Sequence, residues 1–432
     1  MDLSAARSWF SPRMGFIFVV ALTIATIISF IHRYVPAVLV DAIRVDLAIT
    51  DLQFSFLQTA FALTYAAATL ASGWVADRTN RRNLIVAGIA LWTSGSFLFG
   101  LATDLNGLLA ARVMIGMGEA VLGPAGISLL CDYVHPDRRG RAIALIYFGA
   151  TLGGSLAFSG GGLMLELATA GHFNGLPFLG GVDAWRQVVL LLSCLGLILI
   201  PMLLVFPEPQ RSFDINASGR GRLLDLWRMR RVLWLVFVSG SSIAVADFAY
   251  TSWQTAFLTR SFDLTAGMAG QSVGLTALIA GTLGAWIGGV LSDRARARSG
   301  IAGRIKLVKW CALGLLASAG LLIVPRPEMA IAAFACWHLA AHIAYVACAA
   351  TLQDIVTDRT RALAASMQVC LSIGLGLGFG PTAVAALNNQ IGGGENALGP
   401  SLLIALVSMG VLTLLFSTVL ERRLRSEFAG PG

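Results

Sequence analysis

Apolar residues in this chain come in runs of about twenty or more, separated by short polar turns, and about twenty is the number a helix needs to cross a hydrocarbon core of about 30 Å. The runs lie at 14–38, 52–75, 83–102, 106–132, 140–167 and 186–206, then at 232–258, 266–291, 305–324, 329–353, 361–388 and 397–420. They predict an all-α membrane protein with twelve transmembrane helices in two bundles, 1–206 and 232–432. Residues 207–231 are expected to form a cytoplasmic linker, opening with Pro207, Glu208 and Pro209 and closing with LLDLWRMRR. That last piece reads either as an amphipathic helix dipping Leu223, Leu224, Leu226 and Trp227 into the inner leaflet or as an unstructured basic segment.

The two sixes resemble each other. Gly73 to Arg82 reads GWVADRTNRR and Gly289 to Arg298 reads GVLSDRARAR, and the aspartates Asp77 and Asp293 lie 216 residues apart, half of 432. Further on, LLCDYVHPDRRGRA matches TLQDIVTDRTRA, aligning Asp132 with Asp354 and Arg141 with Arg361. Pseudo-symmetric halves related in this way around a central cavity are a recurring plan of secondary transporters. Small residues point to close helix contacts at Gly149 and Gly153, at Gly284 and Gly288, and at Gly374, Gly376, Gly378 and Gly380.

Composition removes most alternatives. Hydrophobic residues make up 56% and charged residues 12% of the chain, with a mean hydropathy of +0.76, which leaves no room for a sizeable soluble domain. The net charge of +8 would suit nucleic acid if it formed one face, but 25 of the 31 Lys and Arg fall in alternate turns, four fall in the other turns and two lie inside spans. That asymmetry follows the positive-inside rule, predicting cytoplasmic termini in a membrane of the bacterial inner type and no nucleic-acid partner. The first apolar run has no A-x-A cleavage site and is expected to stay as the first helix. The six cysteines are spaced for neither zinc nor disulfides. Both lysines, Lys306 and Lys309, lie outside any G-K-[ST] loop, and the H-E-x-x-H and G-x-S-x-G signatures are missing. Neither ATP-driven pumping nor enzyme activity is expected, and no cofactor.

Ionisable residues inside spans cost about 2.5–3.5 kcal/mol each on insertion scales, so each needs a partner or a purpose. Arg112 and Glu119 lie seven apart in the fourth span, near one helix face, and the antiparallel first span brings His32 and Arg33 to a similar depth. These four predict a cavity suited to an anionic headgroup, because arginine offers forked donors to carboxylate or phosphate. Glu119 is the candidate proton carrier, the alternative being a static pair with Arg112. His32 is a second, set against a histidine satisfied by a nearby carbonyl. Asp247 in the seventh span either contributes to proton coupling or pairs with an arginine of the other half. Phe61, Tyr65, Tyr147 and Trp253 are candidate lining residues. His338 and His342 have metal-gripping i, i+4 spacing without a further ligand nearby, so no metal is expected.

Gly73, Asp77, Arg78, Arg81 and Arg82 resemble the motif between the second and third helices of the major facilitator superfamily, with Asn80 where that motif usually has glycine; asparagine tolerates a left-handed turn. ARVMIGMGEAVLGPAG, DRRGRAIALIYFGATLGG and PEPQR resemble the spinster-like branch, although FIHRY puts His32 where that branch has an acid. The resemblance implies a secondary active, proton-coupled transporter of a lysolipid-like or other amphipathic anion, acting as a monomer, with Glu119 in coupling. It implies a gating role for the motif, Asp77 pairing with a neighbour such as Arg141 or capping the eleventh helix, mirrored by Asp293 and Arg294. The alternatives are an organic-anion or sugar-acid symporter, a drug:proton antiporter, and a receptor or scaffold that no longer cycles.

Overall fold

In hydrocarbon the backbone must satisfy its own hydrogen bonds, and the computed structural model, which describes residues 11–209, 226–227, 229–357, 360–392 and 397–428, does so with helices and no strand among those residues. In chain order they are α1 Pro12–Val38, α2 Val40–Leu47, α3 Asp51–Arg78, α4 Arg81–Leu101, α5 Leu105–Glu119, α6 Leu122–Tyr133, α7 Pro136–Thr169, α8 Ala184–Leu204, α9 Arg230–Phe262, α10 Ala266–Gly320, α11 Pro327–Ile355, α12 Arg361–Ile391 and α13 Leu398–Phe428. Most of the expected linker, 207–231, lies outside the described residues.

Among the described residues eleven stretches are long and apolar enough to span a membrane, one of them 58 residues long. At about 1.5 Å per residue that stretch would be roughly three times the length a single pass needs. It is two passes: Ser299 and Gly300 leave helical geometry, Gly300 at φ +64, where glycine meets no Cβ penalty. Beyond them Arg304 hydrogen-bonds back to Ser292 at 2.8 Å and Asp293 at 3.2 Å, a separation that eleven or twelve residues of straight helix could not close. Divided there, the chain makes twelve passes in two six-helix bundles. The sequence ended the eighth helix at 291 and began the ninth at 305 because it read the charges of 294–309 as a turn, whereas helix runs through most of them.

The fourth pass is α5 and α6 together, interrupted after Glu119. Pro124 has no N–H for the carbonyl of Ala120, and the Ser72 hydroxyl of α3 donates to that carbonyl at 3.2 Å instead. Asn80 does not adopt the left-handed turn suggested by its place in the motif. Its φ is −68, and its side chain accepts from Asn83 N at 2.8 Å as the N-cap of α4.

Glycines set how the helices cross. Gly149 and Gly153 of α7 face Thr23 and Ile27 of α1, and Gly284 and Gly288 of α10 face Leu339, His342 and Ile343 of α11. On α12 they form two edges: Gly376 and Gly380 lie against α9, whereas Gly374 and Gly378 meet Ala66 and Ala62 of α3, across the junction between the halves. A second half-to-half contact is α7 with α10, where Ser155 donates to the Gly274 carbonyl at 2.7 Å.

The halves are also joined by charge at the face opposite the termini. Arg260, in the last turn of α9, bonds Asp41 of α2 at 2.6 Å and Asp51, the first residue of α3, at 2.9 Å. Asn388 of α12 donates to Asp51 at 3.1 Å and Arg44 adds a 3.0 Å ion pair. An acid at a helix start and an arginine at a helix end are each favoured by the local dipole.

A Cβ on Gly274 would stand 2.7 Å from the Ser155 carbonyl and 3.0 Å from Ser159 Cβ, whereas one on Gly289 meets nothing within 4 Å. Gly274→Val should therefore lower the melting temperature in detergent, at the roughly 1–3 kcal/mol typical of overpacking, while Gly289→Ala leaves it unchanged. Equal effects would contradict this account of the α7–α10 contact.

Candidate functional site

Arg33 of α1 and Glu119 at the end of α5 form an ion pair inside the membrane. Arg33 Nη2 and Nε donate to one carboxylate oxygen at 2.8 and 3.1 Å, with the side chains 6% and 0% exposed. Three rings surround the guanidinium: Phe30 at 4.6 Å, Tyr65 at 4.7 Å and Phe61 at 5.3 Å from Cζ. The rings give the guanidinium cation–π partners besides the carboxylate.

Arg112 does not pair with Glu119. It turns to α3, donating to the Leu57 carbonyl at 3.3 Å and to Gln58 Oε1, and its Cζ lies 4.7 Å from the centre of the Phe61 ring that Arg33 also approaches. Both of its hydrogen-bonded partners are neutral. Two buried guanidiniums stand against one carboxylate here, one positive charge in excess when all three are ionised. His32, 4% exposed, points away from the pair, and its Nε2 donates to the Leu192 carbonyl of α8 at 3.0 Å.

In the second half Asp247 of α9 accepts from Trp337 Nε1 at 3.1 Å and from the Tyr345 hydroxyl at 3.5 Å, both on α11, and no arginine among the described residues pairs with it. Tyr34, next to Arg33, feels the charges of Arg33, Glu119 and Asp247. His342 donates Nδ1–H to the His338 carbonyl at 2.8 Å, and no metal-binding cluster occurs among the described residues. Trp253 is buried beneath the charge cluster, donating to the Pro381 carbonyl at 3.0 Å and stacking edge-on with Phe54. Tyr147 is 70% exposed on α7.

The repeated motif organises the terminal face within each half. Arg81 binds Asp132 at 2.6 Å, Glu208 at 2.8 Å and Ser128 at 3.0 Å. The backbone N–H of Arg82 donates to Glu208 at 3.0 Å, and its guanidinium reaches the Phe206 carbonyl. In the second half Asp354, the counterpart of Asp132, is held by Arg296 at 2.9 Å and Arg304 at 3.2 Å, and Arg304 also holds Asp293. Asp77, Arg78 and Arg294 are exposed, Arg78 lying over Trp74, and the space beside Gly73 is open. Arg141 lines a cleft of about 710 Å³ between α1 and α7, with Tyr133 and Asp137. Sequence reading had aligned Asp132 with Asp354 without giving them a task; their matching places in the repeat were the available signal. Arg260, Asp41 and Asp51 were missed because the apolar runs leave them in outer turns, whereas all three belong to helices.

The Major Facilitator Superfamily model matches residues 22–378. An MFS-type efflux pump of Mycolicibacterium smegmatis is 26% identical over 364 residues, covering 82% of this chain and 80% of the pump. Protein spinster of Drosophila melanogaster is 24% identical over 337 residues, 74% of this chain and 53% of its own length, so the chain spans about half of that relative. Among solved structures, a bacterial homolog of the human lysosomal transporter Spinster, inward-facing and unoccupied, superposes with a TM-score of 0.84 at 21% identity over 97% of this chain and 99% of the other, which establishes the shared fold.

Removing one partner of a buried pair typically costs about 3–5 kcal/mol because the other charge is stranded. Arg33→Met should lower the melting temperature substantially, and Arg33→Met with Glu119→Leu should recover most of that loss. Additive single effects in this double-mutant cycle would contradict the pairing.

Proposed function

The chain belongs to the major facilitator superfamily, an integral membrane transporter and not an enzyme, and from that premise we propose that it moves an amphipathic anion by alternating access coupled to protons. The observation that carries this reading is the excess positive charge of Arg33 and Arg112 over Glu119 inside the membrane. Arg33 has two possible anionic partners, the Glu119 carboxylate or a substrate headgroup. A proton on Glu119 neutralises the carboxylate and frees the guanidinium, so proton binding and anion binding favour each other; by linkage the preference is reciprocal. Proton and anion then cross together.

In this reading Arg33 and Arg112 hold the headgroup, and Tyr65, Tyr147 and Trp253 line the path as the halves, 1–206 and 232–432, rock about the site. Glu119 carries the proton, with His32 and Asp247 as further titrating groups. Gly73, Asp77, Arg78, Arg81, Arg82, Arg141, Asp293 and Arg294 belong to the gate at the terminal face, which is cytoplasmic in a bacterial inner membrane, and the unit is a monomer. An amphipathic substrate is favoured by the likeness to protein spinster and to an efflux pump, together with the aromatic surroundings of the cations.

Proteoliposomes test this with a fluorescent anionic lysophospholipid. Wild-type protein should show counterflow and accumulation driven by a pH gradient, and Glu119→Gln should reduce that accumulation to background while counterflow persists. Undiminished accumulation in Glu119→Gln removes the acid from coupling. Exchange of an aromatic carboxylate without exchange of the lysophospholipid selects the organic-acid symporter instead, and exchange of neither probe favours a protein that does not cycle.

A further inference from the structure

Between α1, α4, α5 and α8 lies a small enclosed space that meets His32 and Arg112 on the side away from Glu119's bond to Arg33 and has no part yet in the proposed cycle. It measures about 10 Å³ and is lined by His32, Val35, Pro36, Ser96, Phe99, Arg112, Ile115, Val189 and Leu192. Three polar atoms of its lining residues, His32 Nδ1, Ser96 Oγ and Arg112 Nη1, have no protein hydrogen-bond partner. Their residues are 4%, 2% and 0% exposed. Unpartnered groups at such depth are costly, and a space of this size whose lining residues carry three unpartnered polar atoms has the volume and the hydrogen-bonding groups to hold one water molecule.

We propose that one ordered water sits here, bonded to all three atoms, and links the protonation state of His32 to Arg112, with Ser96 as the residue that positions it. Hydrogen-bond parity supports the assignment. Leu192 offers only a carbonyl, so Nε2 carries a proton and, in neutral His32, Nδ1 is an acceptor. Arg112 Nη1 only donates. Water accepts from Arg112, donates to Nδ1 and uses its remaining valence on Ser96. When Nδ1 gains a proton it becomes a donor, and the water must then accept from both His32 and Arg112 and donate to Ser96. The hydroxyl alone among the three groups can turn from donor to acceptor without a proton moving on or off it. Of the side chains facing His32 here, Ser96 and Phe99 come from α4, Arg112 and Ile115 from α5, and Val189 and Leu192 from α8. Arg112 is the charged one, so the water has one charged neighbour to report to. The water site stands on geometry; its role in pH response rests on the proposed proton-coupled cycle.

A map of the full chain at a resolution that shows ordered water should contain a peak within hydrogen-bond reach of the three atoms, lost or displaced in Ser96→Ala. An empty site in the wild type overturns the proposal whatever the protein transports. Lysophospholipid counterflow measured from pH 6 to pH 8 tests the link: Ser96→Ala should change the ratio of rates between those limits by about threefold or more, the scale of one hydrogen bond, and Ser96→Thr should restore it. A rate lowered equally at every pH would mean that Ser96 merely packs, and would overturn the link.

Discussion

Arg260 ties the two halves of this protein together at one face. It reaches from the end of α9 to Asp41 and Asp51 of the other half, and Arg44 and Asn388 complete the cluster. Beneath it Trp253 fills the junction, its ring 5.8 Å from the Arg260 guanidinium carbon. This clasp differs from the ion pairs deeper in the protein in one respect that matters for motion. Asp41 remains 41% exposed, so water can replace its bonds at modest cost, whereas Arg260 and Asp51 are 6% and 7% exposed and as withdrawn from solvent as Arg33. The clasp therefore has one wet bond and one dry one, and the pair between Arg33 and Glu119 is dry throughout.

The same division runs through the rest of the molecule. Arg81 with Asp132 and Glu208, and Arg304 with Asp293 and Asp354, tie helices together within a half. They make each bundle stiff at the terminal face. Between bundles the contacts are smoother: glycines of α12 on alanines of α3, and a serine of α7 on the backbone of α10. Stiff halves with small-residue seams between them can rotate past each other without dismantling a core, which is the mechanical requirement of alternating access.

Much of this was legible in the sequence because bilayer thickness fixes the length of apolar runs, and because the motif at Asp77 recurs at Asp293. The cost of burying charge also singled out Arg33, Arg112 and Glu119. Spacing could not choose the partner of Glu119, since that depends on how α1 and α3 are rotated against α5; seven residues of separation put Arg112 near the same helix face, yet α3 claims it through Leu57 and Gln58. Asn80 misled for a related reason. A residue that tolerates a left-handed turn also makes a good N-cap, and the start of α4 decided between them. The clasp was hidden because Arg44 and Arg260 were counted as outer-turn charges when the neighbouring Asp41, Asp46 and Asp51 already marked a place where an arginine would find partners.

The claim that two stiff halves pivot about the buried pair, with Arg260 closing one face, is tested most directly by a distance across that face. Spin labels at Val45 and Ser261, both exposed, introduced on a background without the six native cysteines, would report it by pulsed dipolar spectroscopy in liposomes. The wild type should give a predominantly short distance, and Arg260→Gln should move a large share of molecules to a longer one. A distribution that Arg260→Gln leaves unchanged would contradict the account, because the closed face would then be held by packing and not by the clasp.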